Sequence, residues 1–264
     1  MRVFVEGVGL LGPGLASWRE GREVLAGRAP YAHAPTAVPA SELLPPAERR
    51  RAGIPVKLAL AVGREAFVAA GRDPAATPAV FTSSSGDGEI LHRICETLAT
   101  AQREVSPTSF LNSVHNVAAG YWSIATQCRE ASTSLCVYDA SFTAGLLETA
   151  TQVAVEHGPV ALIAYDQPYP EPLRTARPVG EKLAVALVLA PQATPRTLAR
   201  LEVEFLAHAA SETGMPDRAL EAVRLANPAA RSLPLLAALA GAGARQVLLR
   251  YLEASHLSIA VAPC

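Results

Sequence analysis

An α/β fold is predicted for this chain of 264 residues on three observations. Apolar, β-branched runs alternate with segments of helical period over the first two-thirds, turn residues punctuate the joins, and two adjacent β-type runs close the chain. The alternation predicts a mixed, mostly parallel sheet covered by helices, and the late runs predict antiparallel additions ending in a C-terminal β-hairpin. Hydrophobic residues make up 50% and charged residues 18%, enough apolar surface for one large core, so 1–264 is expected to form a single domain.

Residues 3–8 alternate and are β-branched, and Gly9, Gly12, Pro13 and Gly14 then break the run, which suits a first strand entering a turn. Residues 17–26 fit a short helix with Ser17 as its cap and Gly27 as its stop. The stretch 28–55 is rich in proline, carries Arg49, Arg50 and Arg51 together, and reads as a surface excursion. Residues 54–70 are apolar at helical spacing and close on Gly71, as a buried helix does. A short strand at 79–82 feeds SSSGDG (83–88), whose expected role is a tight β-to-α turn with a serine or aspartate cap. Its backbone amides could also cradle an anion, although the stretch is neither a Walker loop nor a dinucleotide fingerprint.

A helix over 89–103 is expected to end at Ser106 and Pro107. The segment SFLNSVHNVAAGYWSIAT (109–126) has a polar head and a small-residue helix bearing Tyr121 and Trp122. Beyond it lie a buried strand at 160–165, a proline-rich loop at 167–180, and strands at 182–189 and 198–205. Helices over 215–225 and 233–240 follow, and runs 246–252 and 257–262 flank the turn EASH.

The formal net charge of -1 gives no global reason to expect nucleic acid or an anionic membrane as partner. No segment is long and apolar enough to span a bilayer, and the N-terminus lacks a secretory pattern, so a cytoplasmic location is expected. Cys95, Cys128, Cys136 and Cys264 are scattered without a C-x-x-C pair; reduced, mostly buried thiols are expected, with no metal site and no cofactor.

The stretch with most chemical promise is SLCVYDASFTAGLLE (134–148). A β-type run ends at Tyr138, and a helical pattern follows through Phe142, Leu146, Thr149 and Val153. Such a strand, turn and helix can present a nucleophile in the field of unpaired backbone N–H groups. Ser141 stands at that hinge. The favoured reading makes it a helix N-cap, because a hydrolase elbow would read G-x-S-x-G and Asp139 and Thr143 occupy the flanking positions. Cys136, inside the apolar run, is expected to be a small core residue. His115, between Asn112 and Asn116, is expected to be a hydrogen-bonded structural histidine, with a weaker role as base for Ser141.

The order of these motifs resembles the N-terminal half of the β-ketoacyl synthase, or thiolase-like, fold. The glycine-serine turn at 83–88, the segment 112–120, the strand into D-A-S at 139–141 and RPVGEKLAVALVLAP (177–191) carry the resemblance. NSVHNVAAGYWSIAT and the FTAGLLET after Ser141 resemble, more narrowly, chain-length-factor-type proteins that accompany ketosynthases in aryl polyene clusters. The resemblance covers residues 1–205; 206–264 is read as divergent C-terminal helices and hairpin. In condensing enzymes of this family the turn reads T-A-C and the cysteine carries the acyl chain, so Ser141 stands at the nucleophile position. The family's histidine-bearing half has no counterpart here.

The resemblance therefore implies a non-catalytic subunit that pairs with an active ketosynthase as a heterodimer in aryl polyene, polyketide or fatty-acid-like biosynthesis. The helix 116–125 and strand 134–138 are its expected interface, with Asn116 at the helix start and Tyr121, Trp122 and Phe142 as tunnel plugs or ordinary core. Two alternatives stand beside it: a serine-dependent acyl transferase or hydrolase using Ser141, and an acyl-carrier-protein binding module that uses the Arg49–Arg51 cluster.

Overall fold

The computed structural model describes residues 1–264. Eight strands form one sheet: β1 (Arg2–Leu11), β2 (Ala79–Thr82), β3 (Ser132–Leu135), β4 (Val160–Asp166), β5 (Leu183–Ala190), β6 (Ala199–Leu206), β7 (Arg245–Arg250) and β8 (His256–Pro263). Their spatial order is β3-β2-β4-β5-β1-β6-β8-β7. The helices are α1 (Trp18–Leu25), α2 (Pro46–Arg51), α3 (Ile54–Ala70), α4 (Gly88–Ala99), α5 (Pro107–Asn112), α6 (Val117–Thr126), α7 (Ser141–Glu156), α8 (Leu173–Ala176), α9 (Arg218–Ala226) and α10 (Leu233–Ala240).

The sheet is mixed, but it is mostly antiparallel and not mostly parallel as the alternation predicted. Only β2 pairs in parallel, with β3 on one side and β4 on the other. The remaining pairs, β1 with β5 and β6, β4 with β5, β6 with β8, and β7 with β8, are antiparallel. The parallel pairs are the ones joined by helical crossovers. Parallel neighbours need a crossover of a dozen or more residues, usually helical. The stretches between β2 and β3 (α4 to α6) and between β3 and β4 (α7) supply one. The only helix in the connection from β4 to β5 is the four-residue α8, and β5 returns antiparallel beside β4. After β5 the chain steps across β1, where Leu198 N donates to Val5 O at 2.8 Å, and continues as β6.

Side chains of alternate sign on each strand fill two cores, as the period of a pleated sheet requires. On one face Val80, Val160, Leu162 and Ala164 pack with Phe142, Leu146, Ala150 and Val153 of α7. The C-terminal residues Leu233, Leu236, Val247 and Ile259 join that same core, so the divergent segment covers α7. On the other face Phe81, Ala161, Ile163 and Tyr165 pack with α3 and α6. A Cβ added at Gly7 or Gly9 would stand 2.0 Å from the carbonyl oxygen of Ala66 or Val62, so these glycines of β1 let α3 lie directly on the strand.

Most predicted elements hold within a few residues. The helix at 54–70 ends on Gly71 in the left-handed conformation, φ 62°, with no side chain to clash there. Ser17 caps α1 by accepting from Glu20 N at 3.2 Å. The helix expected over 89–103 stops at Ala99, and Ser106 with Pro107 opens the separate helix α5 instead of closing α4. The penultimate helix starts at Arg218, later than the apolar pattern suggested, because Asp217 caps it through the N–H groups of Ala219 and Leu220. The strand expected to reach Tyr138 ends at Leu135. The predicted terminal hairpin is β7 and β8, and it extends the main sheet through β6. No helix is long and apolar enough to cross a membrane.

Candidate functional site

β2, β3 and β4 run parallel, so their carboxyl ends open on the same side, where α/β sheets commonly bind ligands. Three chain segments meet there: the turn 83–88 after β2, the turn 136–141 after β3, and the loop that follows Asp166 at the end of β4.

Asp166 is the buried centre. Its Oδ1 accepts from Ser84 N at 2.8 Å and from Ser83 Oγ at 3.1 Å, while Oδ2 makes no hydrogen bond. Burial disfavours the carboxylate and pushes its pKa up to about 7; the Ser84 amide, the Ser83 hydroxyl and the Arg177 charge oppose that rise. Ser83 Oγ in turn accepts from Gly86 N at 2.9 Å, and Ser83 O lies 3.2 Å from His115 Nε2. Asp87 closes this turn as predicted, capping α4 by accepting from Ile90 N at 3.2 Å, and burial raises its pKa as well.

Arg177 ties the two turns together. Its Nη2 donates to Ser84 Oγ at 2.7 Å and to Asp139 Oδ1 at 3.0 Å, and its guanidinium lies 3.3 Å from the centre of the Tyr138 ring. Tyr138 holds a left-handed backbone at φ 50°, uncommon for an aromatic residue, and stays 60% exposed. Tyr169 OH sits 3.4 Å from Ser84 Oγ and 3.5 Å from Arg177 Nε.

Ser141 does not cap α7. Ala140 holds the cap position with no side-chain bond, and Ser141 is already the first helical residue. Its hydroxyl accepts from Val137 N at 3.1 Å and donates to Tyr138 O at 2.8 Å, closing the short 3-10 turn Tyr138–Ala140. The segment between the end of β3 at Leu135 and α7 folds into this tight turn, and the serine staples it. His115 makes its contact with Ser83 O and none with Ser141.

Cys136 is exposed, contrary to the buried core position expected of it, because β3 has already ended. Its thiol donates to Ser84 O at 2.8 Å. Cys95 and Cys264 are exposed too, and only Cys128 is buried, so the expectation of mostly buried thiols also fails. Cys95 lies on the outward side of α4, and Cys264 ends the chain.

Tyr121, Trp122 and Phe142 are buried at 4%, 2% and 0% exposure, in two different cores. Tyr121 OH donates to Asn112 Oδ1 at 3.2 Å, and Trp122 packs between Phe67 and Phe81 with ring centres 5.4 and 6.4 Å away. Asn116 is exposed at the start of α6 and makes no side-chain capping bond.

Sequence reasoning missed Asp166 and Arg177 as members of the site. The available signal was an acidic residue closing an otherwise apolar strand. No three His, Cys, Asp or Glu side chains come together in a metal-binding arrangement.

The sheet with its helical layers is a thiolase-like half-fold, shared with several solved structures. One is a ketosynthase, ApeO, in complex with its chain length factor, ApeC, from Xenorhabdus doucetiae: 21% identity, TM-score 0.74, covering 98% of this chain and 99% of the matched one. The ishigamide ketosynthase/chain length factor matches at 14% identity and TM-score 0.72, over 100% and 99%. AntDE:AntF, a type II PKS acyl-carrier protein in complex with its ketosynthase bound to the hexaketide, matches at 11% identity and TM-score 0.75, also over 100% and 99%. No curated protein matches in sequence. The family Beta-ketoacyl synthase, N-terminal domain, matches residues 20–250, and the chain belongs to that family.

Proposed function

We propose that this chain is a chain-length-factor-like subunit that pairs with an active ketosynthase in aryl polyene, polyketide or fatty-acid-like biosynthesis and performs no condensation itself. The observation that carries this reading is the state of the Ser141 hydroxyl. At the position where the family's condensing enzymes hold a cysteine, both hydrogen bonds of the serine are spent on its own turn. A serine needs a neighbouring base to attack a thioester, and no histidine or carboxylate contacts this one.

The outer surface supports pairing. β3 lies at the edge of the sheet with one neighbour, offering unpaired backbone groups to a partner. Nearby helices leave large apolar side chains in water: Leu98 on α4, Phe110 and Leu111 on α5, and Ile124 on α6. Phe110 is 69% exposed, and such exposure on neighbouring elements is a feature of protein interfaces. Tyr121, Trp122 and Phe142 then shape the subunit from within its core, behind the contact surface. The solved complexes of a ketosynthase with its chain length factor are consistent with this arrangement.

A second reading, docking of an acyl carrier protein, has one observation in its favour. Arg50, Arg51, Lys57, Arg93 and Lys182 converge on a concavity of about 530 Å³ that also reaches Tyr169 of the site. Arg50, Lys57 and Lys182 have no ion pair, so they are free to meet an acidic protein.

Co-expression with a ketosynthase from the same gene cluster tests the main reading. A stable one-to-one complex on a sizing column is expected; a monomer beside a ketosynthase homodimer would sink it. In the reconstituted pair, Ser141→Ala should leave the product profile unchanged, whereas a serine-dependent acyl transferase would lose its activity.

A further inference from the structure

The two groups at the centre of the turns, Asp166 and Arg177, do not bond to each other, and a single residue, Ser84, stands between them. Its N–H donates to Asp166 Oδ1 at 2.8 Å, and its hydroxyl accepts from Arg177 Nη2 at 2.7 Å. The same Nη2 donates to Asp139 Oδ1 at 3.0 Å, and the guanidinium lies 3.3 Å from the centre of the Tyr138 ring. Arg177 thus has one carboxyl group behind Ser84, at the end of β4, and another in the turn 136–141, and it bonds only to the second.

The hydrogen bonds around Asp166 fit a neutral acid. Oδ1 takes two donors, Ser84 N and Ser83 Oγ, and Oδ2 takes none. A buried carboxylate with an empty oxygen is costly, and the other neighbours do not relieve it. β5 places Leu183 opposite Asp166. The C-terminal segment faces it with the Ala229 N–H, which donates to Asn227 Oδ1 at 2.9 Å, and Arg231 of that segment pairs with Glu212 at 3.8 Å. Tyr169 and His115 reach Ser84 Oγ and Ser83 O, not the carboxyl. Tyr165 and Asp87 are themselves acids pushed up by burial. The positive charge that acts on Asp166 is that of Arg177.

The present partner of Arg177 is the weaker of the two. Asp139 is half-exposed, so water screens that pair, whereas a charge on the buried Asp166 would act through a medium of low dielectric. What Arg177 now holds is under strain. Tyr138 keeps its left-handed backbone, φ 50°, a conformation that lasts only where the surroundings impose it, and the guanidinium against its ring is part of those surroundings.

We infer that Arg177 is a two-position latch: it holds Asp139 and Tyr138 while Asp166 is protonated, and turns to Asp166 when that proton leaves to water, releasing the turn 136–141. The proton is the only species transferred, and the guanidinium stays charged throughout. Burial has pushed the Asp166 pKa up to about 7, so the exchange falls near neutrality, with the turn held below that pH and freed above it. The latch lies wholly within this chain and does not depend on pairing with a ketosynthase.

Nuclear magnetic resonance of the full-length chain, with its aspartate carboxyl carbons labelled, tests this. Asp166 is expected to titrate near neutrality. Over the same range, from about pH 6 to about pH 8, the Overhauser contacts between the Arg177 side chain and the Tyr138 ring should be lost. These signals come from the folded state alone, so a change in overall stability does not imitate the result. Asp166→Asn cannot ionise and should keep the contacts throughout. Asp139→Asn, at a half-exposed position, removes the competing charge and should lower the Asp166 midpoint, which supplies a second test if Asp166→Asn fails to fold. The inference is overturned if Asp166 shows no titration step between about pH 5 and about pH 9, or if the wild-type contacts persist at about pH 8. Loss of the contacts in folded Asp166→Asn, or an unmoved midpoint in Asp139→Asn, would overturn it equally.

Discussion

Two serine-bearing turns follow neighbouring parallel strands in this protein, and they use their hydroxyls in opposite ways. In the turn after β2, Ser83 and Ser84 reach across the fold: Ser83 donates to Asp166 and Ser84 accepts from Arg177. In the turn after β3, Ser141 bonds only to Val137 and Tyr138. The first hydroxyls belong to a buried polar network, and the second is a staple in its own backbone. A strand-turn-serine-helix pattern thus fixes where a hydroxyl is placed but not what it faces. The chemically perturbed group of the region, Asp166 at the end of β4, bonds to the first turn and not to the one the nucleophile pattern singles out.

The strongest way to break this arrangement is to push the two turns apart. A Cβ on Gly145 of α7 would stand 2.4 Å from Thr82 Cγ2 and 2.7 Å from Leu162 Cδ1. Gly145→Val is expected to destabilise the protein by about 3 kcal/mol or more, read by urea denaturation, because the helix must leave the sheet that carries the first turn.

The next test separates the turns by pH. Asp166 has its pKa pushed up to about 7, against an ordinary aspartate value of about 4, so between those values the folded state holds more protons than the unfolded chain. Its contribution to stability is complete below about pH 4 and is lost as pH rises through about 7. Asp166→Asn is expected to flatten that part of the stability profile, while Ser141→Ala keeps the wild-type slope. An unchanged slope in Asp166→Asn would show that the perturbed carboxyl lies elsewhere.

Arg177→Ala removes the bridge itself: three hydrogen bonds, one of them to a carboxylate, and the contact with the Tyr138 ring. Because Asp139 is half-exposed, the ion pair adds little, and a loss of about 2 kcal/mol is expected, mainly from the uncovered Ser84 and Tyr138. Ser141→Ala should be the mildest, at about 1 kcal/mol, as the loss of a local pair of neutral hydrogen bonds. A cost for Ser141→Ala greater than that for Arg177→Ala would reverse the contrast between the two turns.

Much of the fold was legible because it depends on local rules. The helix at Ile54–Ala70 runs from a proline in its first turn to a left-handed glycine just past its end, and both signals lie in the sequence. Asp87 capping α4 follows from the residue type that precedes the helical pattern. The predicted terminal hairpin follows from two adjacent β-type runs. The fate of Cys136 was less accessible, because an apolar run gives no sign that its strand stops at Leu135. The site itself was largely hidden: Asp166 and Ser83 are separated by 83 residues, and Arg177 and Ser84 by 93.

The sequence by itself determined the α/β class, the family, and the serine of the strand-turn-helix pattern, since these are properties of residue type and order along the chain. Tertiary structure alone decided three things. It set the direction of most strand pairs, several of which join strands far apart in the chain, such as β1 with β5 and β6. It selected which serine joins the buried network, through the convergence of β2, β3 and β4 at their carboxyl ends. It raised the Asp166 pKa, because desolvation depends on what the rest of the chain packs around that carboxyl.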